Sequence, residues 1–272
     1  ELALTQTELH DLLQEACVVL AAELQTDLAE VFELCDDDGS LVLRAAVGWP
    51  PEEIGEGRVP TGPNSQSGYT LLSNGPVILR DIATETRFAV SPLMRAHDIV
   101  SGISATIGAD GEAFGVLSAN SVCQRDFSTD DIAFIQSVSN ILGSVLRRVK
   151  AEDDAERTQG LLTSVIESTP DAIFVKDLEG RFLTVNEGAA SRFGHSAKDV
   201  IGRTMYDLVP DPDAQATAMA DQLILERGTV ETFEQNITID DGKHVFSITK
   251  GPYRAVDGTL LGTFVIARDI TA

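Results

Sequence analysis

The start of the chain alternates apolar and polar positions with the period of a helix. The apolar positions at this spacing are Leu9, Leu12, Leu13, Ala16, Cys17, Leu20 and Leu24. Thr5 followed by Glu8 fits a capping box, in which each side chain satisfies a backbone amide of the first turn. This pattern predicts that the chain opens with an amphipathic helix.

Strand-like runs fill the stretch that follows. AEVFEL and SLVLRAAVG flank the turn CDDDG, which predicts an antiparallel hairpin, and further runs follow at PVILRD, SGISATIG and AFGVLSANS. A second helix is predicted after FSTDD, where Ser128 or Thr129 can cap an apolar stripe from Ile132 to Val149. Helix, strands and helix together predict one α+β domain over residues 1–149.

A charged stretch, KAEDDAERTQG, separates this domain from the next apolar positions at Leu161, Leu162, Val165 and Ile166. The stretch has no proline, so residues 150–160 are predicted to form a solvated helical linker. The apolar spacing on either side is close to a heptad. Two interpretations fit it: the helix pairs with its copy in a second subunit, or it packs against its own domain.

The remaining residues, 161–272, predict a second α+β domain. AIFVKD and RFLTVN read as a hairpin, a helix is predicted around AQATAMADQLILERG, and three strands follow in VETFEQNITID, KHVFSITKGPYR and TLLGTFVIARD. Strands at both ends with helices between them predict a small antiparallel sheet that carries its helices on one face. The fold class expected for the chain is therefore α+β in two domains.

Charge and composition argue against several classes of binding partner. The 20 basic and 43 acidic residues give a formal net charge of -23, which would repel nucleic acid and anionic lipid. The chain contains no run of 18 apolar residues, so we expect no membrane span and a cytoplasmic protein. Cys17, Cys35 and Cys123 are odd in number and far apart, which predicts neither a disulfide framework nor a metal site.

The second half resembles a PAS domain over its whole length. The resemblance lies in STPDAIFVKDLEGRFLTVNEGAASRFGHSAKDVIGRTMYDLV, with Asn186 where the family usually has Asn, and in the final GTFVIARDITA. It implies that Asp269 and Thr271 lie where movement of the sheet reaches an effector domain. A short polar side chain there can also simply end a strand, as any domain requires.

The first half resembles a GAF domain of the kind fused to sensor proteins. The resemblance lies in GPNSQSGYTLLSNGPVILRDIATETRF, SPLMRAHDIVSGISATI and AFGVLSANSVCQRDFSTDDIAFIQSVSNIL. It implies a ligand pocket near the polar residues Asp81, Arg87, His97 and Ser101. Arg87 with an aspartate is equally compatible with a structural ion pair.

The residues that particular cofactors require in these families are mostly replaced. Met205 stands where a flavin photosensor needs its cysteine, and the helix that supplies a haem ligand in PAS domains contains no histidine. Ala89 and Val90 stand where a covalent bilin needs Cys and His. These replacements argue against a flavin photoadduct, haem and covalent bilin, and the cofactor remains unknown.

We therefore expect a non-catalytic sensory input module of a signal-transduction protein, such as a histidine kinase of a two-component system. It would form a homodimer through its helices and relay the binding of a small molecule or partner to an output domain beyond residue 272. The expected pocket wall of the PAS-like half contains Ile173, Phe174, Phe193, Phe246 and Phe264, unless these only fill the core. The alternatives are a ligand-free dimerisation module and a GAF-fold thiol-dependent reductase.

Overall fold

The computed structural model describes residues 6–35, 39–109, 112–239 and 242–271. It separates into two compact units, Glu1–Ala155 (the first unit) and Glu156–Ala272 (the second unit). Thr5 of the expected capping box and parts of two predicted turns, residues 36–38 and 240–241, lie outside the described residues. The domain borders expected at 149/150 and 160/161 remain a prediction.

The first unit is a six-stranded antiparallel sheet with helices on both faces. Its elements are α1 (Gln6–Leu24), β1 (Leu28–Leu34), β2 (Ser40–Val47), β3 (Arg58–Pro60), α2 (Gln66–Leu71), β4 (Val77–Leu79), α3 (Pro92–Ala96), β5 (Ser101–Ala109), β6 (Glu112–Ser121) and the first part of α4 (Thr129–Ser168), a helix that continues into the second unit. The strand order is β3-β2-β1-β6-β5-β4. The predicted opening helix, hairpin and later strands are confirmed.

The two faces of this sheet carry separate cores, because successive side chains of a strand point to opposite faces. One face buries Val31, Ile103 and Leu117 against α1 and α4. The other buries Leu43 and Leu79 in a second cluster with residues of the α2–α3 segment. This second face holds the candidate site described below.

Helix α4 continues through the charged linker, as the lack of proline predicts. Ser128 caps it: the Asp131 amide donates to Ser128 Oγ at 3.2 Å, and the Ser128 amide donates to Asp131 Oδ2 at 2.8 Å. This is the reciprocal pattern of a capping box. No helix in the described ranges combines the length and apolar character that a membrane span requires.

The second unit is a five-stranded antiparallel sheet with strand order β8-β7-β11-β10-β9. Its elements are β7 (Ala172–Asp177), β8 (Phe182–Val185), α5 (Glu187–Ala190), α6 (Ala197–Val200), α7 (Asp211–Arg227), β9 (Glu231–Ile239), β10 (Gly242–Arg254) and β11 (Leu260–Asp269). The core contains Phe174, Phe182, Phe246 and Val265 together with Val200 of α6. Both units confirm the predicted α+β class.

Candidate functional sites

The face of the first sheet that packs against α2 and α3 is unusually polar for a buried surface. Ser104 of β5, Ser118 and Asn120 of β6 and Glu30 of β1 all lie buried there, alternating with the apolar residues of the opposite face. Buried polar groups cost stability unless they are hydrogen-bonded. A face with this many of them is therefore a candidate site.

Of the described residues on this face, Glu30 is the one acidic side chain that is fully buried, with 2% of its surface exposed. Trp49 Nε1 donates a hydrogen bond to Glu30 Oε2 at 3.1 Å, and Asn120 Nδ2 donates to Oε1 at 2.5 Å. Both donors are neutral. Burial raises the pKa of the Glu30 carboxyl to about 7, although these two hydrogen bonds oppose the rise.

A cavity of about 20 Å³ lies beside this carboxylate, and we call it the Glu30 cavity. Its lining includes Glu30, Trp49, Gln66, Ser67, Ser118 and Asn120. A space of this size accommodates about one water molecule. Asn120 Oδ1 has no hydrogen-bond partner among the described residues.

Helix caps fix the segment that closes the Glu30 cavity. Ser65 Oγ accepts the Gly68 amide at the start of α2, and Ser91 Oγ accepts the Met94 amide at the start of α3. Gln66 then reaches the sheet, where its Nε2 donates to Ser104 Oγ at 3.2 Å. The two caps and the bond from Gln66 to Ser104 therefore hold this part of the cavity lining in place.

The structure brings Asp81 and Arg87 together at an open groove on the surface. Arg87 pairs with Glu85 at 2.7 Å and not with Asp81, whose carboxylate instead accepts the Ala83 amide at 2.8 Å. Arg87 also donates to the Ile78 carbonyl at 2.5 Å. Glu85 raises the pKa of Arg87, and Arg87 lowers that of Glu85, as expected of an ion pair.

The other two predicted residues of the first unit lie apart from that groove. His97 packs against Trp49, which lines the Glu30 cavity, with a centroid distance of 4.3 Å and an interplanar angle of 52°, and its Nε2 contacts Glu53 at 2.9 Å. Ser101 donates to the Cys123 carbonyl at 2.8 Å and fixes a loop. Only His97 therefore supports the cavity.

The three cysteines do not converge on the Glu30 cavity. Cys17 is buried in the core under α1, where burial raises the pKa of its thiol above the usual range. Cys35 is half-buried, Cys123 is exposed, and none of the three lines the cavity. Within the described ranges, no three His, Cys, Asp or Glu side chains cluster closely enough to hold a metal ion.

The predicted aromatic wall of the second unit is divided between the two faces of its sheet. Phe174 and Phe193 pack edge to face with Phe182, and Phe246 lies in the same core beneath the guanidinium of Arg192. Phe264 lies on the opposite face, since it neighbours the buried Val265 along β11 and packs over Gly251. The four clustered rings fill the core.

Asn186 joins three elements through its side-chain amide. Its Oδ1 accepts the amides of Ile173 in β7 and Ala189 in α5, both at 2.9 Å. Its Nδ2 donates to the Ile166 carbonyl near the end of α4 at 3.0 Å and to the Asp171 carbonyl at 2.9 Å. Asn186 thus has a structural role, tying the end of α4 to the sheet.

Residues 269–271, which we call the exit, are fastened to the start of β10. The Val245 amide donates to Thr271 Oγ1 at 3.0 Å, and Thr271 Oγ1 donates to Asp269 Oδ1 at 2.6 Å. His244 Nδ1 lies 2.9 Å from Asp269 Oδ2. The Thr271 hydroxyl is the main cause that lowers the pKa of Asp269 to about 2, because it stabilises the carboxylate form.

Sequence reasoning missed a second buried charged group, the lysine cluster of Lys176 in β7, Lys250 in β10 and Asp221 in α7. Lys250 Nζ lies 2.7 Å from Asp221 Oδ1, and Lys176 forms an ion pair with Asp221 Oδ2. Thr263 Oγ1 lies 3.5 Å from Asp221 Oδ1. Burial is the main cause that lowers the pKa of Lys176. The sequence signal for the lysine cluster is the lysine within each of the strand-like runs AIFVKD and SITKG.

Each half of the chain matches a known protein family. The GAF domain family model matches residues 8–146, and the PAS fold model PAS_4 matches residues 166–272. An uncharacterized protein, y4lL, of Sinorhizobium fredii is 31% identical over 80 residues, which cover 29% of this chain and 10% of that protein. The chain thus matches about a tenth of the length of this curated relative.

Solved structures are similar to each half separately. The GAF domain of a phosphoenolpyruvate-protein phosphotransferase from Coxiella burnetii is 23% identical, with a TM-score of 0.49 over 54% of this chain and 86% of that chain. The Vibrio cholerae VqmA dimer is 27% identical, with a TM-score of 0.37 over 40% of this chain and 49% of that chain. Free methionine-R-sulfoxide reductase from Neisseria meningitidis is 20% identical, with a TM-score of 0.45 over 54% of this chain and 83% of that chain.

Proposed function

The chain belongs to the GAF domain family, continues into a PAS fold and has a sensory or regulatory role in general, and we propose that it is the cytoplasmic input region of a signal-transduction protein. In this proposal the first unit binds a small polar molecule at the Glu30 cavity. The change is relayed to an output domain beyond residue 272, for example a histidine kinase of a two-component system. The region itself is not catalytic.

The buried carboxylate of Glu30 carries this proposal. Its hydrogen-bond donors, Trp49 and Asn120, are neutral, and among the described residues no Lys, Arg or His forms an ion pair with it. A molecule with an ammonium, amide or hydroxyl donor would satisfy the carboxylate and the free acceptor of Asn120 together. Because the cavity has room for about one water, a larger ligand requires the α2–α3 segment to move.

Two hydrogen-bonded connections in the second unit support a relay. Asn186 bonds the end of α4 to β7, and the exit is bonded to the start of β10. A shift of the helix or the sheet would change these bonds, since each depends on one side chain. The relay proposed for Asp269 and Thr271 rests on this geometry.

Native mass spectrometry of the purified chain tests ligand binding. We expect a species heavier than the 29.1 kDa chain whose extra mass is lost on denaturation. Glu30→Gln should lose that mass, whereas Glu23→Gln, a change of an exposed glutamate, should retain it. Equal ligand retention by Glu30→Gln and the wild type would rule out the Glu30 cavity as the site.

A second candidate function, a ligand-free dimerisation module, is favoured by the exposed apolar residues of α4. Leu161, Leu162 and Val165 each expose 60% or more of their surface in the single chain. Exposed aliphatic side chains at this spacing are typical of a helix that pairs with a copy of itself. We propose that the chain forms a homodimer through this part of α4.

Val165→Asp tests the dimer, because it places a charge in the proposed contact between the two copies of α4. We expect the variant to be monomeric in native mass spectra at concentrations where the wild type is dimeric. Thr163→Asp, on an exposed polar position of the same helix, is the matched control and should remain dimeric. A monomeric wild type would overturn the pairing. An equal loss of dimer in both variants would show that the apolar contact through Val165 does not hold the dimer.

The cysteines do not favour the third alternative, a thiol-dependent reductase. The nucleophile of such enzymes is a thiolate, whereas burial raises the pKa of Cys17 and so favours its protonated form. Cys35 and Cys123 are more accessible but do not line the Glu30 cavity. A sensory role accounts for that cavity without thiol chemistry.

A further inference from the structure

The lysine cluster contains more positive than negative charge. Lys176 and Lys250 expose 1% and 6% of their side chains, and both face the single carboxylate of Asp221. Among the described residues, no second acidic side chain pairs with either ammonium group. The chain has five lysines, so two of them lie buried on one face of this sheet. The fully ionised cluster carries one net positive charge.

A one-to-one ion pair with Asp221 does not account for the second lysine. One lysine and one aspartate would form a neutral pair, whereas an additional buried ammonium group costs desolvation energy without a counter-ion of its own. Lysines are rarely buried unless they are paired. An excess cation at this place is suited to a negatively charged group that comes from outside the chain.

Asp221 belongs to a helix that few apolar contacts hold in place. Of the 17 residues of α7, the structure buries Ala214 and Ile224, whereas Met219 and Leu223 are exposed. The bonds from Asp221 to β7 and β10 are therefore a substantial part of what holds α7 on the sheet. A group that competed for the two lysines would loosen this helix.

We propose that Lys176 and Lys250 bind the carboxylate of a small organic acid, which takes the place of Asp221 and releases α7. In the present structure the Asp221 carboxylate occupies the position that the ligand's carboxylate would take. The rings of Phe174 and Phe182 lie 5.7 and 6.0 Å from Lys176 Nζ and are buried, so the apolar part of the acid would reach them only as the core beside Lys176 opens. This site is separate from the Glu30 cavity, and either can fail without the other.

Binding is tested by titrating the intact chain with benzoate and acetate, with chloride and inorganic phosphate as comparison anions. We expect benzoate to bind and Lys250→Met to weaken that binding by about tenfold or more, because a charge-assisted hydrogen bond is lost. Lys198→Met is the matched control, since Lys198 is exposed, and should bind as the wild type does. Calorimetry measures all three affinities.

Displacement is tested by hydrogen exchange and by rescue. Benzoate should speed amide exchange within residues 211–227, because α7 loses its ion pairs. Asp221→Ala removes the internal carboxylate, and acetate should then raise the melting temperature of the variant more than that of the wild type, whereas chloride should not. If Asp221→Ala does not fold, the comparison of Lys250→Met with the wild type still decides the binding site.

Three results would each overturn the proposal. Neither carboxylate binds the wild type at millimolar concentration, or phosphate binds as tightly as benzoate, or Lys250→Met binds benzoate as the wild type does. Slower exchange of α7 with benzoate would overturn the displacement. The ligand retained at the Glu30 cavity is measured separately, so these results leave the function proposed for the first unit untouched.

Discussion

The two units bury ionisable side chains on a sheet face, but with opposite imbalances of charge. In the first unit, Glu30 has neutral donors, and burial raises its pKa to about 7. In the second, two lysines share Asp221. A lone buried acid can become neutral by taking up a proton, whereas the two lysines share a carboxylate that already faces them. The comparison predicts that the first site responds to pH and the second to organic anions.

The largest effect is expected at Asp221. Asp221→Asn leaves two buried ammonium groups without a counter-ion, so it should destabilise the second unit by about 3–5 kcal/mol. Lys250→Met leaves one lysine with one aspartate and should change stability by less than about 1 kcal/mol. Urea denaturation followed by circular dichroism measures both free energies of unfolding.

Trp49 provides the control for that experiment. It is the single tryptophan of the chain and lies in the first unit, so its fluorescence follows the unfolding of that unit alone. Asp221→Asn should leave the fluorescence transition where it is. Equal losses of stability in Asp221→Asn and Lys250→Met would contradict the charge imbalance, because the two changes affect the cluster's net charge in opposite directions.

The next largest effect is expected in how the stability of the first unit depends on pH. The ordinary pKa of glutamate is 4.5, and that of folded Glu30 is about 7. The folded state therefore holds a proton that the unfolded state releases, so stability is complete below pH 4.5 and falls as pH rises toward 7. At about 1.4 kcal/mol per pH unit, the loss is roughly 3 kcal/mol.

Glu30→Gln should abolish this dependence and be more stable than the wild type at pH 8. Trp49 donates a hydrogen bond to Glu30, so its emission should also titrate near neutral pH in the wild type and lose that titration in the variant. Glu23→Gln is the control, because Glu23 is exposed. A wild type whose stability is constant from pH 4.5 to pH 8 would contradict the pKa assigned to Glu30.

A smaller effect is expected from Gly102, which makes room for the amide of Asn120. A Cβ at Gly102 would lie 1.9 Å from Asn120 Oδ1. Gly102→Ala should displace Asn120 from Glu30 and cost about 2 kcal/mol, measured by Trp49 fluorescence in urea. Gly75→Ala, where a Cβ has nothing within 4 Å, should cost much less. Similar losses in the two variants would show that Asn120 does not depend on Gly102.

The sequence predicted the elements better than the sites, for a physical reason. The period of apolar residues depends on local geometry, so α1, α7 and the hairpins could be recognised from their neighbours. Glu30 lies in a strand that is buried on both faces, and Lys176 occupies an inward position of an alternating strand, but their sequence neighbours do not reveal their partners. Asn120 follows Glu30 by 90 residues, and Asp221 follows Lys176 by 45. Such pairs depend on the tertiary fold.

The smallest effect is expected at the exit, where the groups are close to solvent. Thr271→Val removes the hydroxyl that bonds Asp269 and accepts the Val245 amide, so the pKa of Asp269 should rise from about 2 toward its ordinary value of 3.8. An NMR titration of the carboxyl group measures this shift. Thr184→Val, at an exposed position of β8, should leave that pKa unchanged.

The same variant separates a relay from an ordinary strand end. If the Val245 bond fastens the exit, Thr271→Val should speed amide exchange at Val245 and Thr271 without moving the urea midpoint. An unchanged exchange rate at Val245 would show that the backbone bond from Ile270 to the Val245 carbonyl, at 2.8 Å, is sufficient to hold the end of the chain. Asp269 and Thr271 would then only terminate β11, and a relay would have to pass through another element, of which the Asn186 connection to α4 is the first to test.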